Sequence, residues 1–196
     1  MAVAAFAGLI GFASVAFGWR EWMQRRRTGK TGLRGSLRMF PGVLGLLAGI
    51  AAVTAGLFLD IVDAVNPLAP MVHPFVQTIG VFAFGAGFVL TVRAQHDMGA
   101  SWRVGIDTTE TTALVTSGVF HYVRNPIFTG MILVFVGVTL LVPNVVTVAG
   151  TALLVTGLEL YVRLVEEPYL AGTHGDAYRS YVSKAGRFVP RLGRAK

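Results

Sequence analysis

Apolar and polar positions alternate in blocks along this chain. Five predominantly apolar stretches, roughly 2–19, 40–62, 74–95, 126–143 and 145–165, are divided by stretches that carry most of the charge. A bilayer core takes about 20 apolar residues per helix, so each stretch is predicted to be a transmembrane helix. The first stretch has no basic segment before it and is followed by Arg20, Arg25, Arg26, Arg27 and Lys30, the reverse of a cleavable signal. It is expected to remain as helix one. Pro143-Asn144 leaves room only for a tight turn, predicting an antiparallel hairpin of helices four and five with their inner ends close together. Gly45-x-x-x-Gly49 is the spacing that lets helix backbones approach closely. The expected fold is all-α: a single membrane domain over 1–196, an integral bundle of five transmembrane helices with a cytosolic C-terminal helical cap.

Composition agrees with this. Of 196 residues, 54% are hydrophobic and 14% charged, with a mean hydropathy of +0.63, which leaves too few charges to cover a water-soluble surface. The net charge of +7 would suit nucleic acid, but the placement of the charges argues against it. With five helices and the N-terminus outside, all 17 Lys and Arg fall on the cytoplasmic side: seven between Arg20 and Arg38, three between Arg93 and Arg124, seven between Arg163 and Lys196. The outer loops carry Asp60, Asp63 and Asn66-Pro67 instead. An inner-membrane protein is expected, its C-terminus and active site cytoplasmic, with functional segments at about 97–125 and 166–192. Cysteine is absent, which excludes disulfides and thiol chemistry. His73, His96, His121 and His174 lack metal-ligand spacing, so no metal is expected.

Candidate chemistry gathers on the flanks of the predicted hairpin. Helical offsets of four and three place Glu159, Arg163 and Glu166/Glu167 on one face, with Glu159 about 10 Å deeper than the acidic pair. A charge at that depth costs roughly 2.5–3.5 kcal/mol, so it is expected to face protein, Arg163 or water. On the other flank, Pro126 suits a first helical turn, and the free N–H groups there, with His121, Arg124 and Asn125, are placed to grip a carboxylate. Thr28-Gly-Lys-Thr31 fails as a phosphate loop, because position 24 is Gln and no strand precedes it. The basic run 25–38, flanked by Trp19, Trp22 and Phe40, is better read as lying on anionic head groups. Trp102 with Arg103 reads as an interface anchor.

Gly118-x-Phe-x-Tyr122-x-Arg124-Asn125-Pro126-x-Phe-x-Gly130 is followed, one hairpin later, by Arg163-x-x-Glu166-Glu167-x-x-Leu170, His174-Gly175-x-x-Tyr178-x-x-Tyr181 and Arg187-x-x-Pro190. This spaced combination resembles the isoprenylcysteine carboxyl methyltransferase family and the related phospholipid methyltransferases. Met98-Gly-Ala-Ser-Trp-Arg103 resembles the segment that bacterial members carry after helix three, and the likeness covers roughly residues 93–192. It implies S-adenosylmethionine-dependent methyl transfer, with S-adenosylhomocysteine as product, at the cytosolic membrane face. By the same resemblance, His121, Tyr122, Val123, Arg124, Asn125, Pro126, Gly130, Glu167, Tyr178, Tyr181, Arg187 and Pro190 hold the cofactor, and Arg163, Glu166 and Asn125 serve catalysis. Tyr178, Tyr181, Phe188 and Pro190 are expected to cover the adenine. The family motif usually reads Arg-His-Pro where this chain has Arg124-Asn125-Pro126, and Phe120 and Phe128 replace family tyrosines.

Methyl transfer from a sulfonium is an in-line displacement that needs alignment and water exclusion rather than a covalent nucleophile. A carboxylate acceptor would be oriented by Arg163; an amine acceptor would lose its proton to Glu166 or His121. The expected acceptor is amphiphilic, its apolar tail entering sideways between helices. A non-catalytic membrane protein that binds lipid or aids assembly on the same scaffold is the alternative. A transporter would place its polar groups near the bilayer midplane, whereas these lie at one face.

Overall fold

A computed structural model describes residues 1–31, 41–102 and 113–194. The basic run beyond Thr31, together with Phe40 and Arg103, lies outside the described residues. Within them the architecture is all-α: α1 Ala2–Thr28, α2 Pro41–Ile61, α3 Pro74–Met98, α4 Pro126–Leu141 and α5 Val145–Val182.

α1, α2, α3 and α5 are long and apolar enough to cross a membrane, whereas α4 is a shorter apolar helix. Its 16 residues reach about 24 Å, against a hydrocarbon core of about 30 Å. Two boundaries differ from the expected ones. The apolar stretch of α1 ends near Trp19, yet the helix continues to Thr28, where Gly29 in the left-handed region (φ 68°) receives the chain and donates to the Arg25 carbonyl. Hydropathy marks where lipid ends; a backbone breaker marks where the helix ends.

α5 likewise does not stop at 165. It passes through a wide π turn at Val162–Glu166, in which the Glu167 N–H reaches back five residues to the Val162 carbonyl. Pro168 follows directly. A proline ring clashes with the carbonyl four residues earlier and has no N–H to bond to it, and the wide turn absorbs both defects. The expected cap is therefore a continuation of α5, bent only at Gly175 (φ 52°).

α5 packs chiefly on α2, and α4 on α3. Both approaches are backbone-close: a Cβ on Gly49 would come 2.5 Å from the Leu154 nitrogen, and one on Gly87 would come 2.5 Å from the Gly130 carbonyl. The expected α4–α5 hairpin is present and is pinned at its turn. Asn144 accepts from Val146 and Thr147 N–H groups at 3.0 and 2.9 Å and donates to the Gly56 carbonyl of α2 at 3.1 Å. At the end away from the turn, the Phe128 and Tyr161 rings meet edge to face with centroids 6.1 Å apart. α1 closes the bundle. The Gln95 amide donates to the Ala16 carbonyl at 2.7 Å beside the wide turn Ser14–Trp19, and Arg20, buried, donates to the Gly99 carbonyl beneath Trp102.

Candidate functional site

The chain from Gly118 to Pro126 is fastened at both ends. Asp97, at the end of α3, accepts the Val119 N–H at 3.0 Å. Gly118 has φ 60°, and a Cβ there would collide with the Asp97 carboxylate, so glycine is required on both counts. From Tyr122 to Thr129 the C-terminal segment runs alongside. Arg124 and Asn125 N–H donate to the Gly186 and Arg187 carbonyls at 2.7 and 3.1 Å, and Gly186 N–H donates to the Tyr122 carbonyl at 3.1 Å. Thr129 Oγ1 donates to the Phe188 carbonyl at 2.8 Å, and the Tyr181 hydroxyl to the Phe120 carbonyl at 2.6 Å.

This fastening buries Arg124, whose side chain is 3% exposed. Its Nη1 donates to the Ala185 carbonyl at 2.7 Å; its Nη2 donates to Glu167 Oε1 at 2.7 Å and the Gly193 carbonyl at 3.1 Å. Its Nε is buried with no acceptor. Glu167 also receives Arg187 Nε on Oε1 at 2.8 Å and Arg187 Nη2 on Oε2 at 3.0 Å. These hydrogen bonds hold the Arg187 guanidinium above the ordinary arginine value. Arg187 Nη1 reaches Glu159 at 3.2 Å, and Glu159 pairs with Arg163. Charges therefore alternate from the buried Arg124 to the surface, and each member is compensated by its neighbour.

Beside this chain of charges is a cavity of about 130 Å³, lined by Arg124, Asn125, Glu166, Glu167, Tyr169, His174, Tyr178 and Tyr181. A second cleft, about 260 Å³ and mostly apolar, is lined from all five helices, chiefly by α2 and α4. Met98, Phe120, Arg124, Asn125, Phe128, Tyr161 and Glu166 line both. They form a partition between a polar chamber at the helix ends and an apolar one among the spans. Small-molecule pockets usually measure about 300–1,000 Å³, so the polar chamber reaches that range only together with its neighbour.

The structure gathers Arg124, Asn125, Glu166, Glu167, Tyr178 and Tyr181 as the sequence suggested, and Pro126 joins the apolar cleft. Other candidates lie elsewhere. Arg163 points outward, 57% exposed, because the wide turn adds a residue between it and the acidic pair and so breaks the common face expected from regular helical offsets. His121 and Tyr122 are exposed and touch each other, ring centroids 5.1 Å apart. Val123 is buried in the bridge to Gly186, and Gly130 packs against Thr91 and Gly87. Arg187 braces Glu167 from behind, and Pro190 is exposed. Phe188 serves through its backbone carbonyl rather than as a ring over the chamber. Met98, Ser101, Tyr161, Tyr169 and His174 also line the polar chamber; Met98 and Ser101 stand in the quoted segment after α3 without an assigned role, and Tyr161 and Tyr169 had not been singled out. Tyr161 carried a signal, a phenol inside an apolar run, and His174 stood in the quoted motif.

The donor set suits the cofactor that the resemblance implies. The buried, unpartnered Nε of Arg124 faces the need of a carboxylate, and Glu166 offers an acceptor to an ammonium or ribose. The rings of Tyr169, His174 and Tyr178 offer apolar cover. Among the described residues no group of three or more His, Asp or Glu is arranged to hold a metal.

The sequence profile described as phospholipid methyltransferase matches residues 75–177, just over half of the chain. The match takes in α3, the 118–126 segment, α4 and α5 as far as Ala177. No curated protein matches the chain.

Proposed function

The chain belongs to the phospholipid methyltransferase family, and from that premise we propose that it is an integral membrane methyltransferase using S-adenosylmethionine on an amphiphilic acceptor at the cytosolic face. The observation that carries this reading is the partition: one set of side chains walls both a polar chamber and an apolar cleft. An acceptor with its head in one and its tail in the other brings its reacting atom to Arg124, Asn125 and Glu166. The proposed topology has five spans, α4 included, with the N-terminus outside. It is supported by the described basic residues, which lie at the ends of α1 and α3, just before α4, from the middle of α5 onward and in the segment that follows α5.

When bound, the cofactor supplies a methyl group on an activated sulfonium. Arg124 Nε, with Glu166 and Glu167, would hold its amino-acid end, and Tyr169, His174 and Tyr178 would cover it. Phe120, Phe128 and Tyr161 exclude water from the partition, which strengthens each electrostatic contact there. Glu166, which lines both chambers, accepts the proton of an amine acceptor before transfer. Asn125 donates its Nδ2–H to the Arg187 carbonyl at 3.2 Å; its part is to keep the C-terminal segment against the chamber.

The test is calorimetric titration of the purified protein with S-adenosylmethionine and S-adenosylhomocysteine, followed by transfer of a labelled methyl group into a total lipid extract. Binding of both and one labelled lipid product are expected. Glu166→Gln, which removes the proton acceptor and one contact to the cofactor, should lower turnover at least tenfold and weaken cofactor binding at least threefold. Absence of binding of either compound would refute the assignment and favour a non-catalytic lipid-binding role.

A further inference from the structure

Two apolar clefts lie end to end along α1. The first, of about 260 Å³, shares the partition with the polar chamber. The second, of about 310 Å³, lies between α1, α2 and α4 and is lined by Phe6, Leu9, Ile10 and Ala13 among others. Phe17, Ile50 and Met131 line both, so the clefts form one track from the partition to Phe6. From Phe17 to Phe6, at 1.5 Å per residue, the track follows α1 for about 16 Å. Thr54, the polar residue of the second cleft, gives its hydroxyl to the Ile50 carbonyl at 2.8 Å and so turns no donor toward the track.

We propose that this track holds one apolar chain of the acceptor, about as long as an extended dodecyl chain, and that its Phe6 end measures chain length. The proposal rests on the reading that the polar chamber takes the acceptor's head. Lipid tails are as apolar as the track, so burial alone gives a chain no reason to leave the bilayer. Selection must come from close contact along the wall, which is lost for a chain too short to fill it and is not offered beyond Phe6, the last residue of α1 to line the track, to one too long. α1 and α2 fall outside the matched residues 75–177. Two of the three helices that wall the second cleft thus belong to the part of this chain that the family profile does not cover, while α4, with Met131 and Phe135, lies within it.

The probe is lysophosphatidylethanolamine carrying a diazirine at the methyl end of its chain, in lauroyl and palmitoyl forms, added to the full chain in phosphatidylcholine vesicles. After illumination, labelled positions are mapped by mass spectrometry. The lauroyl probe is expected to label Phe6–Ile10, and the palmitoyl probe to label those positions at least fivefold less. Ala13→Trp, which fills the second cleft from an exposed position, should reduce lauroyl labelling at Phe6 at least fivefold and move it toward Phe17. Ala7→Trp, exposed and outside both clefts, should leave the pattern unchanged. Equal labelling of Phe6 and of the exposed Phe82 on α3 in the unmodified protein overturns the proposal and marks the track as filled by bulk lipid. That comparison stands even if Ala13→Trp does not fold. S-adenosylmethionine titration of the same samples reports separately: absent cofactor binding with the labelling intact counts against methyl transfer and leaves the track standing.

Discussion

Arg124 and Glu167 are the residues whose mutual dependence is greatest. A guanidinium buried this deeply has a favourable energy only while its partner is present, and removing one member of a buried pair costs roughly 3–5 kcal/mol. Glu167→Ala should therefore lower the thermal unfolding midpoint in detergent sharply, whereas Arg163→Ala, which breaks an exposed pair worth about 0–1 kcal/mol, should leave it nearly unchanged. Equal effects would mean that the buried pairing is not what holds this region. That these two flanks meet was legible in the sequence, since a tight turn brings the start of one helix beside the end of its neighbour; that Arg124 and Glu167 pair with each other was not, because the resemblance assigns each of them to the cofactor. The orientation of Arg163 was not legible either. Helical offsets assume 3.6 residues per turn, and the wide turn at Val162–Glu166 violates that assumption between Arg163 and Glu167. The exposed His121 was equally illegible, because a short turn gives its residues no periodicity by which to assign a face.

At the scale of elements, the wide turn acts as a phase shifter within α5. Deleting Leu164 removes one residue and rotates everything beyond it by about 100°, which carries Glu167 away from Arg124 while leaving the α2–α5 contact at Gly49 and Leu154 intact. Loss of S-adenosylmethionine affinity with retained helical circular dichroism is the expected result; unchanged affinity would show that the phase does not matter. Pro168 was the sequence signal for this irregularity, since a proline within a helical run demands a local remedy. Gly29 likewise announced the true end of α1. Hydropathy misses both because it reports the surrounding solvent, and neither helix stops where its solvent changes.

In the molecule as a whole, two helix pairs, α2 with α5 and α3 with α4, are tied together by a C-terminal strap. The strap supplies acceptors to Arg124 from Ala185 and Gly193 and a brace to Glu167 from Arg187. Truncation after Ser183 should yield a protein that aggregates on size-exclusion chromatography in detergent, because it leaves buried donors unsatisfied at about 1–3 kcal/mol each. The glycines foretold close helix contact but not which helices pair, since small residues say only that something approaches. The brevity of α4 has its own consequence. Its outer end is anchored through Asn144 to α2, so in the proposed five-span topology the roughly 6 Å by which it falls short of the hydrocarbon thickness accumulates beneath Pro126. Arg124 then resides deeper than the level at which ordinary headgroups float, and a lipid must sink to meet it. Thinner bilayers reduce that descent, so turnover should rise as the surrounding acyl chains are shortened.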